Sequence, residues 1–275
     1  MITNLIMKFK ILGSGGAMPV PRPFCQCKLC KLARENSKYK RNSCSAFVED
    51  INTLIDCPED IGDSLNREDI KQVDNLFITH WHPDHTFGLR IILEAIYNFL
   101  DRKAEHLINI YVGKKVYETL EKNFPAIKYY ITTLNVAKIN LIEDGDKIKF
   151  KDICVSFFGY TGKNSDWYAF LFETKNKKLL YAPCDTLHFK RYFNFKNVDV
   201  LVHECGIFSH DKVKTELSFP DLIKRLKEIR PKQTFLVHIE EIELNIWGTH
   251  FLDELKQKYK NITFEFAYDG RVIQL

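Results

Sequence analysis

No stretch of this chain offers about 18 consecutive apolar residues, so a membrane-spanning helix is not expected. The opening residues, MITNLIMKFKILGSGG, lack the long apolar core and small-residue cleavage site of a signal peptide and read as a first strand. Together these absences point to a cytoplasmic protein. Internal repeats, low-complexity segments and Pro/Gly/Ser-rich linkers are missing too, which argues against a solenoid or a tethered array. A single domain over residues 1–275 is the economical reading. Neither sign of charge dominates: 40 Lys and Arg against 36 Asp and Glu leave a formal charge of +4, scattered as on a solvated surface. A basic groove or arm is not evident, so a large nucleic acid is not the favoured partner, although it stays open. The eight cysteines do not follow the framework of a small secreted domain, and without a signal peptide they read as metal ligands or reduced thiols.

What the chain does have is a concentrated set of metal-type donors. Thr79-His80-Trp81-His82-Pro83-Asp84-His85 places three imidazoles and a carboxylate in an H-x-H-x-D-H arrangement. Imidazole suits zinc, iron and manganese, and a carboxylate can join or bridge such ions. A lone histidine is usually structural, but this density at this spacing points to a metal site. The preceding run VDNLFIT reads as a buried strand, which puts the donors in the loop at its end, where α/β sheets carry their sites.

Strand-like runs fall at residues 8–12, 46–48, 53–56, 75–79, 108–112, 147–150, 155–158, 169–173, 178–181, 198–203, 234–238 and 263–266. Helical patterns fall at residues 86–101, 114–123, 219–229 and 252–258. The alternation predicts a layered α/β architecture. Further donors stand at strand ends: Cys184 and Asp185 after KLLYAP, and His238 after FLV. A dinuclear site needs roughly six protein ligands, with one carboxylate able to bridge. His80, His82, Asp84, His85, Asp185 and His238 can supply that set. A second signal is Cys25-Gln26-Cys27-Lys28-Leu29-Cys30, whose three thiols can grip one structural zinc and leave its fourth position open. Cys44, Cys57, Cys154 and Cys205 read as small core fillers, and His106, His188 and His250 as structural or surface residues.

These motifs resemble the metallo-β-lactamase fold superfamily. The histidine motif carries the likeness, supported in register by Gly13-Ser14-Gly15-Gly16, Leu54-Ile55-Asp56 and Ala267-Tyr268-Asp269-Gly270. The resemblance implies an αββα sandwich with two divalent metals, zinc or manganese, at one edge of its sheets. It also implies hydrolysis by a hydroxide bridging the two metals. By position, His80 and His82 would hold the first metal, Asp84, His85 and His238 the second, and Asp185 would bridge. Two departures stand out. The further histidine usual after the strand at 155–158 is missing, with Lys163 and Asn164 nearest its place. The family's spacing for the bridging aspartate lands on Cys184, so either that thiol ligates or Asp185, one residue later, does; a carboxylate bridge is the favoured choice.

The cysteine loop is similar to that of the phosphoribosyl cyclic phosphodiesterases, where a histidine three residues after the His238 position completes the zinc site. Here Glu241 stands at that place. The resemblance therefore implies a phosphodiesterase acting on a small, cyclic phosphodiester, with Asp84 in the catalytic set. The leaving-group acid is unassigned, with His210 the nearest candidate, and a homodimer is left open. His203-Glu204 resembles the tRNA 3′-processing endonucleases, which supplies one alternative, although the pair reads rather as buried hydrogen-bond partners. Pro183-Cys184 resembles the pyrroloquinoline-quinone biosynthesis branch, whose likeness would imply a mononuclear redox or non-catalytic metal protein.

Overall fold

The β-branched and aromatic runs pair into two seven-stranded sheets in the computed structural model, which describes residues 6–162, 165–208 and 217–275. The first sheet runs Arg271–Gln274, Lys8–Gly13, Ser45–Val48, Thr53–Ile55, Asn75–Ile78, Ile108–Gly113, Ala137–Ile142. The second runs Glu265–Phe266, Gln233–Val237, Val200–Glu204, Lys178–Ala182, Asp166–Glu173, Ile153–Thr161, Lys147–Phe150. They face each other across an aromatic layer. The Phe77 ring of the first sheet lies 5.2 Å from Phe157 and 5.5 Å from Phe170 of the second, and Phe9 lies 5.5 Å from Tyr181. All are buried, and offset or edge-on aromatic contacts of this kind add to the area they remove from water.

Helices cover the outer faces. Ile61, Leu89, Leu93, Val116 and Leu120 anchor three of them over the first sheet. Over the second lies Phe219–Ile229, which starts where predicted because Ser218 caps it, its hydroxyl accepting the Asp221 N–H, with a proline in the first turn. Its buried stripe of Phe219, Leu222, Leu226 and Ile229 packs on Leu180, Leu201 and Leu236. The four layers are the αββα sandwich the motifs implied. Among the described residues no helix is long and apolar enough to cross a membrane.

Three local expectations change. The helix predicted over 86–101 is broken into Pro83–Thr86, Leu89–Ala95 and a two-stranded hairpin, Tyr97–Asn98 with Lys103–Ala104. The helix stops at Ala95, and Asn98 shapes the hairpin turn that follows by accepting the Leu100 and Asp101 N–H groups on its own side chain. Ala137–Ile142 and Arg271–Gln274 are edge strands whose half-exposed faces blurred their alternation. In each sheet four neighbouring strands run parallel, and it is their carboxyl ends that converge on the donor residues.

Candidate metal centre

Parallel strands end here in tight reversals. Asp56, Asp185 and His238 each take up the left-handed backbone region, with φ of 60°, 49° and 53°. That region is costly for residues bearing a Cβ, is entered most readily by Asn, Asp and His, and concentrates at functional sites. Thr79 ends its strand by donating both N–H and hydroxyl to the Asp56 carboxylate, each at 2.8 Å. His82 precedes a single helical turn with Pro83 at its start, and Thr86 ties that turn back to the Trp81 and His82 carbonyls. Gly88 lets the turn settle on the neighbouring loop: its N–H reaches the Cys57 carbonyl, and a Cβ there would lie 2.0 Å from the Pro58 oxygen.

The result is two adjoining donor sets. His80, His82 and Asp185 converge within 4.8 Å of one another, and so do Asp84, His85 and His238. In the second set His85 Nε2 lies 3.4 Å from His238 Nε2 and 3.3 Å from Asp84 Oδ2, and His238 Nε2 lies 3.6 Å from Asp84 Oδ2. A tetrahedral ion with ligand bonds of about 2.0–2.1 Å separates its ligand atoms by roughly 3.4 Å. The protonation pattern agrees. His85 Nδ1 faces Asp56 Oδ2 at 2.8 Å, and His238 Nδ1 faces Glu240 Oε1 at 3.1 Å. With each Nδ1 donating, neutral rings turn lone pairs on both Nε2 atoms toward Asp84. Three acceptors then meet with no donor between them, an arrangement a cation satisfies.

The electrostatics carry the same demand. Burial works against charge on His85, but Asp84 and Asp56 outweigh it and hold the imidazole well above its ordinary range. His238 is raised against the same burial by Cys184, Asp84 and Glu240. Burial would lift the Asp84 carboxyl, yet His85 and His238 hold it far below the usual carboxylate range. His80 is the opposite case: burial, then His85 and His82, push it well below its usual value, leaving a neutral ring suited to ligation.

Cys184 and Asp185 are both at the centre, with different neighbours. The Cys184 sulfur lies 3.9 Å from His80 Nε2 and groups with His80 and His85, one residue from each set. Asp185 groups with His80 and His82. Lys163, Asn164 and His210 lie outside the described residues. His203 and Glu204 are buried behind the site. The His203 ring is held between the Glu204 carbonyl at 2.8 Å and Arg225 Nη1 at 3.1 Å, and burial with Arg225 lowers it to about 3. Glu204 accepts the Thr186 N–H and hydroxyl. The pair braces the loop that carries Cys184 and Asp185, which is the hydrogen-bonding alternative read from the sequence.

A separate cluster assembles at the cysteine loop. Cys25, Cys27 and Cys30 bring their sulfurs to 3.5, 3.8 and 3.4 Å from Glu241 Oε1, with all four donors mutually within 4.8 Å. Roughly 3.8 Å separates sulfurs around a tetrahedral zinc with bonds of about 2.3 Å. Cys27 also caps the helix Lys28–Glu35, so the loop's helix positions Cys30. Glu241 is buried and also meets Arg22 at 3.6 Å. Asp56 and Glu240 were not singled out as ring partners in the sequence; their only local signal is an acid at or just beyond a strand end.

Comparison with known proteins places this geometry in context. Residues 52–239 match the model of a β-lactamase superfamily domain. The ribonuclease Z of Archaeoglobus fulgidus is 26% identical over 158 residues, 56% of this chain and 44% of that protein. The chain spans less than half the length of the curated relatives it matches. Among solved structures, a diphosphatase from the PhnP family superposes with a TM-score of 0.77 at 18% identity, covering 98% of each chain. Zinc-bound PqqB from Methylobacterium extorquens gives 0.77 at 17% identity, covering 98% of this chain and 100% of that one. At these identities the structural likeness is one of fold.

Proposed function

We propose that this chain, which belongs to the β-lactamase superfamily, is a metal-dependent phosphodiesterase that hydrolyses a small, cyclic phosphodiester. The observation that carries the reading is the pair of adjoining donor sets, His80/His82/Asp185 and Asp84/His85/His238. Two divalent metals held there, zinc or manganese, would acidify a water and offset the charge that develops on phosphoryl oxygens. The chain's own residues prepare the site. Asp56 and Glu240 fix the ring orientation of His85 and His238, and Asp84 faces both rings. Cys25, Cys27, Cys30 and Glu241 would hold one structural zinc. Only Ile239 and Glu240 separate Glu241 from His238, so that zinc would pin the N-terminal loop beside the centre. The likeness to a diphosphatase and the cysteine loop support a small substrate. The ring partners of His203 leave it no free nitrogen for a leaving group, which weighs against a tRNA-processing role.

The matches to ribonuclease Z favour that role as a second reading. The test is hydrolysis of bis(p-nitrophenyl) phosphate, a cyclic ribose phosphate and a tRNA precursor by protein reconstituted with zinc or manganese. Turnover of the small diesters, lost in His80→Ala and His238→Ala, is expected. Cleavage of the precursor with the small diesters untouched would replace the first reading by the second. No hydrolysis of any phosphodiester by fully metallated protein would sink both.

A further inference from the structure

The two donor sets share one element that neither the histidine motif nor its carboxylate supplies. We propose that Cys184 is the bridging ligand between them, that Asp185 serves the His80/His82 set alone, and that the centre is therefore thiolate-bridged and selects zinc over manganese. The inference rests on the metal-centre reading above.

Three observations lead to it. First, Cys184 groups with one histidine from each set, His80 and His85, and all three are buried. The free nitrogens of these rings are the ones that face it. His80 Nδ1 is engaged by the Thr79 hydroxyl at 3.0 Å and His85 Nδ1 by Asp56, leaving each Nε2 toward the centre. Second, the Asp185 carboxylate groups with His80 and His82, whereas the second set is made by Asp84, His85 and His238. A bridging role requires reach to both sides, which Cys184 has. Third, the loop is built so that these neighbours do not exchange places. Asp185 sits in the left-handed region, a conformation that costs energy for a residue bearing a Cβ and has to be held by its surroundings. The backbone on either side is clamped: the Tyr160 hydroxyl donates to the Cys184 carbonyl at 2.7 Å. One residue beyond Asp185, Arg225 donates to both the Thr186 hydroxyl and carbonyl while Glu204 accepts from Thr186. Arg225 and Glu204 are both buried.

Chemistry follows from the exchange of oxygen for sulfur. A thiolate carries the same unit negative charge as a carboxylate but is a soft donor, suited to zinc and poorly matched to manganese or magnesium. Asp185, displaced from the middle, supplies the His80/His82 set with a third protein ligand. Binding would release the Cys184 proton to solvent as the sulfur ligates.

The experiment is a cobalt(II) titration of the intact metal-free protein, read in the near ultraviolet, where thiolate-to-cobalt charge transfer absorbs. Wild type is compared with Cys184→Ser and with Cys184→Asp, which restores a carboxylate if the serine variant folds poorly. The cysteine-loop site contributes equally to all three and cancels in the difference spectra. Metal content and competition between zinc and manganese are measured alongside. A bridging thiolate predicts a wild-type-minus-variant band that keeps growing as both histidine-set ions are added. It also predicts zinc affinity at least tenfold weaker at both sets in Cys184→Ser. Cys184→Asp should retain two ions without the band and accept manganese more readily than wild type. A band that saturates after one ion makes Cys184 a ligand of one metal and overturns the bridge. Two ions bound with no difference band overturns the proposal while leaving the metal-centre reading intact. Wild type that holds metal only at the cysteine loop overturns both.

Discussion

Replacing Asp56 by asparagine changes almost no volume but reverses one hydrogen bond at the heart of the site. Asp56 is fully buried and accepts from Thr79 N, Thr79 Oγ1 and His85 Nδ1, each at 2.8 Å. Asparagine keeps one oxygen for the Thr79 N–H and presents an amide N–H where His85 now donates. The Thr79 hydroxyl can turn to accept the new amide N–H while it goes on accepting from His80 Nδ1, 3.0 Å away. His85 has no such freedom: to avoid two facing donors it must move its proton to Nε2, which points at Asp84 and His238. The ring then offers a donor where the second set needs a lone pair. Ring partners of this kind are worth about 10–100-fold in metal affinity, or roughly 1.4–2.8 kcal/mol. Loss of a charge-assisted bond in the buried site costs about 1.5–3 kcal/mol of stability besides. Two measurements separate these effects: zinc competition against a chromophoric chelator, and ¹⁵N-histidine spectra of the metal-free protein at a pH high enough for the His85 ring to be neutral, which report the tautomer. The expected result is weaker binding of one zinc in the histidine centre, an unchanged cysteine-loop zinc, and His85 protonated on Nε2. Unchanged zinc affinity, or His85 still protonated on Nδ1, would refute the argument that Asp56 sets the ligand's tautomer.

Other consequences are as concrete. Cys30→Ala removes one of four converging donors, so zinc content should fall by one ion, the melting temperature should drop, and a chelator should destabilise wild type more than the variant. Burial, with help from Asp269, outweighs the Ser43 backbone N–H and pushes the Asp60 carboxyl up to about 6. A carboxyl raised in the folded state adds stability below about pH 4 that is lost as pH rises through 6, so the charged group costs roughly 2–3 kcal/mol at neutral pH. Asp60→Asn should therefore raise the denaturation midpoint at pH 7 with the gain shrinking toward pH 4; a loss at pH 7 that persists in acid would contradict this. Gly88→Ala drives a Cβ onto the Pro58 carbonyl oxygen, and a shift of the His82–His85 turn should lower both stability and metal affinity, read by thermal melts and zinc titration. A variant that melts and binds like wild type would show that the loop gives way. Phe77→Ala empties the middle of the aromatic layer and should cost about 3–5 kcal/mol in denaturant unfolding.

Much of this molecule was legible before any coordinates. The H-x-H-x-D-H run, the C-x-C-x-x-C run and most strands are short-range patterns, and spacing along a strand, a one-turn helix or a capped loop determines direction as well as identity. Pro83 starting a turn and Ser218 capping a helix act within four residues, so sequence alone specified them. The helix expected over 86–101 failed for a related reason: apolar periodicity runs through a segment that Gly88 and the Asn98 turn divide, and contact with the Cys57–Pro58 loop determines where.

Everything that joins the motifs was decided by tertiary structure. Sheet register brings Glu241 to cysteines more than 200 residues away, Asp56 to His85, and His238 to Asp84. The same register lets Asp269 accept from Ser14 and Asn42 and so tie together the loops at the ends of three neighbouring strands of the first sheet. Cys184 and Asp185 show the division most clearly. The sequence named both as candidates and favoured the carboxylate as the bridge on chemical hardness. In the structure the Cys184 sulfur groups with His80 and His85, one from each set, and the Asp185 carboxylate with His80 and His82, on a loop whose left-handed turn at Asp185 is flanked by contacts from Tyr160 and Arg225. Donor type is a property of a residue and can be read from its letter. Which neighbours each of two adjacent donors meets depends on the backbone that carries them, and partners distant in the chain hold that backbone in place.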